Sequence, residues 1–364
     1  MKKAYAVLLV LLSTTMLMPL TRSARAQCLT DLDNNSQIDG SDIGLLLLDF
    51  GGNGTADFDN SGLVDSADIS LILLDWGPCS NGDLTSTTLS ITQTWSQQPS
   101  GYSRTAKVIV PASGSGPHPV VIMLHGNGGT GDLRFLDSLG STANSAIRVA
   151  PNGYLNSWNV HNETSKAPDV AFMCDLIALL KTYDNVDEGR ISIYGDSNGA
   201  GMVNRLLIEL SAFDFQRAAC RVSQMITKMY HDGSFWFNAE GNNNYDQMII
   251  PASGRRIISI SGTNDSLVPY TGGYSNVGTT FMSCQESIYR LAQRMGETGS
   301  QLSDGAGIPG NNTNGYSNLF VKYSYVGGQV VHYKLIGGNH GLRVGTNTAY
   351  STEANNLIAT FLLQ

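Results

Sequence analysis

Between residues 190 and 210 three textures follow one another without a spacer. Arg190-Ile-Ser-Ile-Tyr194 is an apolar strand, Gly195-Asp196-Ser197-Asn198-Gly199 stops it, and Ala200 to Leu210 can be helical. The surrounding sequence repeats that alternation. Strand-like runs at 107–110, 120–124, 257–260 and 330–336 are interleaved with helix-like segments at 169–183, 279–295 and 352–363. Apolar strands that must be covered on both faces predict an α/β fold over residues 86–364, with a doubly wound, mostly parallel sheet.

With 40 glycines in the chain, a Gly-x-Ser-x-Gly pattern is weak by itself. Its place between a strand and a helix gives it meaning. A sharp turn there lifts the Ser197 hydroxyl above the carboxyl edge of the sheet and points a helix N-terminus at developing negative charge. A serine hydroxyl needs a base, and the base needs an orienting carboxylate, in the chain order Ser, Asp, His. Three of the six histidines follow Ser197: His231, His332 and His340. His332 lies inside an alternating strand, and His231 sits in an irregular aromatic stretch. His340 occupies the glycine-rich turn Gly337-Gly-Asn-His340-Gly341 after that strand and is the expected base. Asp265 follows the strand-like 257–260 run and is the expected carboxylate, with Asp232 and Asp246 as rivals. Backbone N–H groups of Asn198 and Asn127 are the expected oxyanion donors. Asn127 lies in the loop His125-Gly-Asn-Gly-Gly129, where His125 reads as architectural.

These residues carry a resemblance. His125-Gly-Asn-Gly-Gly129, Pro151-Asn-Gly153, Ser157-Trp-Asn159, Gly195-Asp-Ser-Asn-Gly199, Gly262-Thr-Asn-Asp265 and Gly338-Asn-His-Gly341 occur in order. Together they resemble the secreted polyhydroxybutyrate depolymerases and feruloyl/acetylxylan esterases of carbohydrate esterase family 1, which have the α/β-hydrolase fold. The resemblance covers roughly residues 86–364. It implies ester hydrolysis through an acyl-enzyme on Ser197, with Asp265 and His340 as partners and Trp158 lining the pocket. The stretch 225–250 departs from the family. It is long, aromatic and polar, as a binding or lid loop is. Trp236, Phe235 and Tyr230 either stack on a substrate ring, with Trp236 the expected contact, or pack the insertion down.

The N-terminus has a different character. Lys2 and Lys3 precede an apolar run ending at Leu20, and Ala24-Arg-Ala26 offers a cleavage site, so residues 1–26 read as a secretory signal peptide and the mature protein as extracellular. Residues 27–79 hold ten aspartates and no lysine or arginine, which opposes folding unless cations bind. Two twelve-residue loops repeat at a spacing of 26 residues. Asp31, Asp33, Asn35, Gln37, Asp39 and Asp42 match Asp57, Asp59, Ser61, Leu63, Asp65 and Asp68, with a backbone carbonyl at Gln37 and Leu63. That pattern suits Ca²⁺. Each loop runs into a short apolar helix, and the whole resembles a type I dockerin. The resemblance implies two structural calcium ions and a cohesin-type scaffold as partner. Ser36 stands where the turn favours glycine, which predicts a strained first loop. Cys28 and Cys79 bracket the module and predict a disulfide, while Cys174, Cys220 and Cys284 leave at most one bridge elsewhere. Residues 80–85 read as a linker.

The expected function is hydrolysis of feruloyl or acetyl esters on polysaccharide. A polyester or polyhydroxyalkanoate depolymerase would use the same triad, and a calcium-dependent attachment protein with a non-catalytic hydrolase domain is the reading from another class. Residues 80–364 carry 18 basic and 20 acidic residues, with no basic patch for nucleic acid. No membrane span follows the leader, and calcium is the only cofactor implied.

Overall fold

The structure is a computed structural model that describes residues 30–33, 35, 37–79, 82–114, 116–238, 243–309 and 317–364. The leader, Cys28 and Ser36 lie outside the described residues. The chain divides into two units at Gly82/Asp83.

The first unit contains two nine-residue helices, α1 (Gly40–Leu48) and α2 (Ser66–Leu74). Each begins at a capping box. Asp39 and Asp65 accept the N–H of Ser41 and Ala67, while Asp42 and Asp68 reach back to the N–H of Asp39 and Asp65. The 26-residue period survives in the packing, because Ile38 and Leu46 are buried in one repeat where Val64 and Ile72 are in the other. Cys79 is disulfide-bonded.

The second unit is built on a sheet whose central six strands are all parallel. In spatial order these are Val330–Leu335, Arg256–Gly262, Arg217–Arg221, Val186–Asp196, His118–Leu124 and Ile147–Pro151. Antiparallel strands Phe320–Tyr325 and Gln98–Ile109 flank them, followed outward by Ile308–Pro309 and Thr87–Trp95. Alternate residues of one strand feed two cores: Val120, Ile122 and Leu124 enter one, Val121 and Met123 the other. The one-turn helix α3 (Leu133–Leu136) and the last helix, α7 (Ala349–Leu363), pack into the second core. The helices α4 (Asp169–Lys181), α5 (Asn198–Glu209) and α6 (Cys284–Arg294) cover the other face. This is the doubly wound α/β-hydrolase fold.

Two boundaries differ from expectation. Leu84, placed in the linker by its polar neighbours, is buried in the second unit and exchanges backbone hydrogen bonds with the Asn185 side chain at 2.8 and 2.9 Å. The helix expected from residue 279 starts at Cys284, capped by Ser283, whose Oγ accepts the Glu286 N–H.

Candidate active site

The strand Val186–Asp196 runs straight into α5, and Ser197 is the hinge. It sits at φ 54°, ψ −117°, in the positive-φ region that side chains avoid and that marks strain held by its surroundings. Two glycines permit the turn. A Cβ on Gly195 would lie 2.3 Å from the Gly199 carbonyl oxygen, and one on Gly199 would lie 2.1 Å from that of Leu124. The Ser197 N–H donates to the Arg221 carbonyl at 2.9 Å, which ties the hinge to the neighbouring strand.

The structure brings Ser197, His340 and Asp265 into one hydrogen-bonded line. His340 Nε2 lies 2.8 Å from Ser197 Oγ, and His340 Nδ1 lies 2.7 Å from Asp265 Oδ2. All three follow the carboxyl ends of parallel strands, so fixed strand register sets their spacing. Asp265 is buried, and its Oδ1 accepts the N–H groups of Leu267 and Val268, both at 2.9 Å. The rivals lie elsewhere. His231 pairs with exposed Asp232, Asp246 is exposed, and His332 is fully buried in its strand.

Asn127 and Asn198 border the same cleft as Ser197 and His340. Asn198 opens α5, where backbone N–H groups have no acceptor within the helix. In the other loop the N–H groups of Gly128 and Gly129 are taken by Asn156 and Gly126 carbonyls. Gly126 lets that loop close on Ser197, since a Cβ there would stand 3.3 Å from Ser197 Cβ. His125 is architectural: its Nε2 accepts the Gly153 N–H at 3.0 Å, and burial pushes its pKa below the usual histidine value.

The cleft has a volume of about 880 Å³. One part of its wall is apolar, with Ile226, Leu267, Val268 and Phe281. Another is polar, with His161, Asn162, Glu163 and Thr164. Neither expected tryptophan borders it. Trp158 is 0% exposed, with its indole N–H on the His125 carbonyl at 2.9 Å, so it braces the 125–129 loop. Trp236 stacks on His231 at 4.6 Å and donates to its carbonyl within a small three-stranded sheet, 230–231, 234–237 and 247–249. Tyr230 and Phe235 meet edge to face at 4.9 Å. The aromatic insertion therefore packs down on itself and on the core of the second unit, and Ile226 is what it contributes to the cleft.

Two charged residues of the site were not anticipated. Arg221, at the carboxyl end of its strand, is buried and pairs with Asp196, and it donates to the Gly341 carbonyl at 3.1 Å and to Ser351 Oγ at 2.9 Å. It links the residue before Ser197 to the residue after His340. Glu163 binds the side chain of Asn198 at 2.8 Å. Arg221 had a legible signal in its position at a strand end, but Arg-Ala-Ala-Cys-Arg lacks the β-branched residues that announce a strand. Glu163 lies in an aperiodic loop that gives no signal.

In the first unit the carboxylates of Asp31, Asp33 and Asp42 offer oxygens within 4.8 Å of one another, as do Asp57, Asp59 and Asp68. Asp42 and Asp68 are fully buried. Burial pushes the Asp68 carboxyl up, and hydrogen bonds from the Asp65, Phe58 and Asp59 N–H groups outweigh it, holding the carboxyl below its ordinary value. The side chains of Asp39 and Asp65 each use one oxygen, Oδ1, to cap their helices, and Asn35 Oδ1 accepts the Gln37 N–H at 2.7 Å. Gly62 takes the loop's tight turn at φ 89°. Three hard anionic oxygens within 4.8 Å of one another are a donor set that fits Ca²⁺.

No family model matches the chain. Feruloyl esterase B of Piromyces equi is 30% identical over 166 residues, which is 44% of this chain and 28% of that protein. The chain thus spans little more than a quarter of the length of the curated relative it matches. Among solved structures, an acetyl xylan esterase from Aspergillus awamori superposes with a TM-score of 0.43 at 14% identity, over 70% of this chain and 94% of that one. Est1E from Butyrivibrio proteoclasticus does so at 0.41 and 10%, over 75% and 98%.

Proposed function

We propose that this chain is a secreted serine carboxylic-ester hydrolase that removes feruloyl or acetyl groups from polysaccharide. The observation that carries the reading is the line from Ser197 Oγ through His340 to Asp265, at 2.8 and 2.7 Å.

Ser197 Oγ attacks the ester carbonyl carbon as His340 Nε2 removes its proton. The carbonyl oxygen becomes an oxyanion, and the N–H groups of Asn127 and Asn198 stabilise it. Collapse of the tetrahedral intermediate breaks the bond to the alcohol, which leaves with the proton from His340. Water, deprotonated by His340, then attacks the acyl-enzyme, and a second collapse frees the carboxylic acid and restores Ser197. Asp265 holds the imidazole with Nδ1–H toward itself. The likeness to a feruloyl esterase over 166 residues supports the ester class. A cleft with one apolar and one polar wall suits an ester that joins an apolar acyl group to a sugar hydroxyl.

The test is kcat/KM on methyl ferulate, acetylated xylan and polyhydroxybutyrate, with Ser197→Ala as control. A clear preference for polyhydroxybutyrate would replace the polysaccharide ester with a polyester, and activity retained by Ser197→Ala would sink the mechanism.

For the first unit we propose two Ca²⁺ ions, one on Asp31, Asp33 and Asp42 and one on Asp57, Asp59 and Asp68. Asn35, Asp39, Ser61 and Asp65 and the carbonyls of Gln37 and Leu63 complete the shells, and a cohesin-type scaffold is the proposed partner.

A further inference from the structure

Glu163 is held in an unusual position for a carboxylate that touches none of the three triad residues. Its side chain is 8% exposed, at the edge of the cleft. Oε2 accepts two backbone N–H groups, from Val160 at 2.9 Å and His161 at 2.6 Å. Oε1 accepts the Nδ2 of Asn198 at 2.8 Å and lies 3.2 Å from His161 Nε2. The Asn198 side chain is also fixed at its other end. Its Oδ1 accepts the Trp158 N–H at 2.7 Å, and its Nδ2 donates to the Trp158 carbonyl at 3.1 Å. One carboxylate therefore joins the polar cleft wall to the first residue of α5, whose backbone N–H faces the reacting carbonyl in the mechanism above.

We propose that Glu163 is a positioning residue for the oxyanion hole, acting through the Asn198 side chain to hold the Asn198 N–H in place. The inference rests on the serine-hydrolase reading. An oxyanion donor works because it is preorganised before charge develops, so looseness at Asn198 lowers the rate of the chemical step more than it weakens substrate binding. Neither Glu163 nor the Asn198 side chain is itself the donor. Altering them leaves the N–H in the chain and changes only how firmly it is aimed.

Glu163→Gln isolates the effect because it preserves volume. Its single carbonyl oxygen can serve Val160 and His161, but its amide then meets the Asn198 amide donor against donor. Asn198 cannot turn over to relieve this without losing the Trp158 N–H. The measurement is acylation of the full chain by p-nitrophenyl acetate, an ester too small to depend on the polar wall, with Tm recorded for each variant. Removing an oxyanion donor outright costs about 10²–10³ in kcat. Glu163→Gln should therefore lower kcat by about tenfold to a hundredfold, with KM within about twofold. Asn198→Ala should give a similar loss, and the double variant little more than either alone, since the two residues act as one unit.

Wild-type kcat in Glu163→Gln, a loss confined to KM, or additive losses in the double variant would each overturn the proposal. Ser197→Ala, run beside them, separates the two levels. If it keeps full activity, the serine mechanism itself fails; if it is inactive while Glu163→Gln is unaffected, only the role of Glu163 fails.

Discussion

Asp265 divides its two carboxylate oxygens between different tasks: Oδ2 meets His340 Nδ1 at 2.7 Å, while Oδ1 accepts the N–H groups of Leu267 and Val268. The backbone contacts fix the carboxylate so that it can orient the imidazole. Asp265→Asn keeps the shape and can present its amide to Nδ1, which forces the wrong tautomer. Ester hydrolysis should fall by about 10⁴ in kcat while the Tm moves little. Asp265→Ala should lose comparable activity and also lower the Tm, because it leaves the buried Val268 N–H and the part-buried Leu267 N–H without their acceptor. A substantially active Asp265→Asn enzyme would exclude Asp265 as the orienting carboxylate.

Arg221 invites a second substitution. Its guanidinium joins Asp196, Gly341 and Ser351, and its own carbonyl receives the Ser197 N–H. Arg221→Lys keeps the charge but cannot span three partners from one planar group. The His340 turn should loosen relative to Ser197, lowering kcat by about tenfold. Because lysine keeps a positive charge beside Asp196, whose side chain is 28% exposed, the stability loss should stay well below the roughly 3–5 kcal/mol typical of removing one member of a buried ion pair. Urea titration and kcat measured on the same preparation check both effects.

That Ser197, His340 and Asp265 come together was legible because each sits in a glycine-marked turn that follows a recognisable strand. The strand Thr87–Trp95 was not, since Thr, Ser and Gln alternate along an edge that mostly faces water. Nor was Ile147–Pro151, five fully buried residues that include an arginine and a proline. Neither Trp158 nor Trp236 lines the cleft, for one physical reason. An aromatic side chain near a site stabilises the protein more by burial than by waiting in a cleft, and sequence does not record which way it turns.

Gly199 tests how close the turn at Ser197 must approach the sheet. A methyl group there would overlap the Leu124 carbonyl, with the His125 carbonyl oxygen only 2.7 Å away. Both contacts are backbone, so neither can rotate aside. Gly199→Ala should displace α5, destabilise the second unit by more than about 3 kcal/mol and abolish activity. Gly189→Ala is the control, because its nearest atom is the Asp187 side chain at 3.4 Å. Thermal unfolding of the two variants separates them.

Chelation tests the division of labour between the units. The paired acidic loops belong to the first unit, and the proposed chemistry uses residues of the second alone. EDTA should unfold residues 28–79, seen as lost protection from hydrogen exchange, and leave ester hydrolysis largely intact. Reversible loss of activity on chelation would assign calcium a part in the second unit as well.

His332 sets an acid limit on stability. It is fully buried, hydrogen-bonded to Ser259 Oγ at 2.7 Å and to the Tyr270 hydroxyl at 3.0 Å, and its pKa is pushed down to about 3 by burial and then by the charge on Lys334. The folded protein therefore holds this imidazole neutral, whereas the unfolded chain protonates it near pH 6.5. Stability is full above that value. As pH falls below it, the unfolded state binds a proton that the folded state refuses, and stability drops by about 1.4 kcal/mol per unit until the folded value is reached. Urea titrations between about pH 7 and 4.5 cover the window before most carboxylates titrate. His332→Gln removes the titrating group while keeping polar atoms near Ser259 and Tyr270. Its stability should start lower at pH 7 and decline less steeply toward pH 4.5. Parallel slopes for the two proteins would show that another group governs the acid transition.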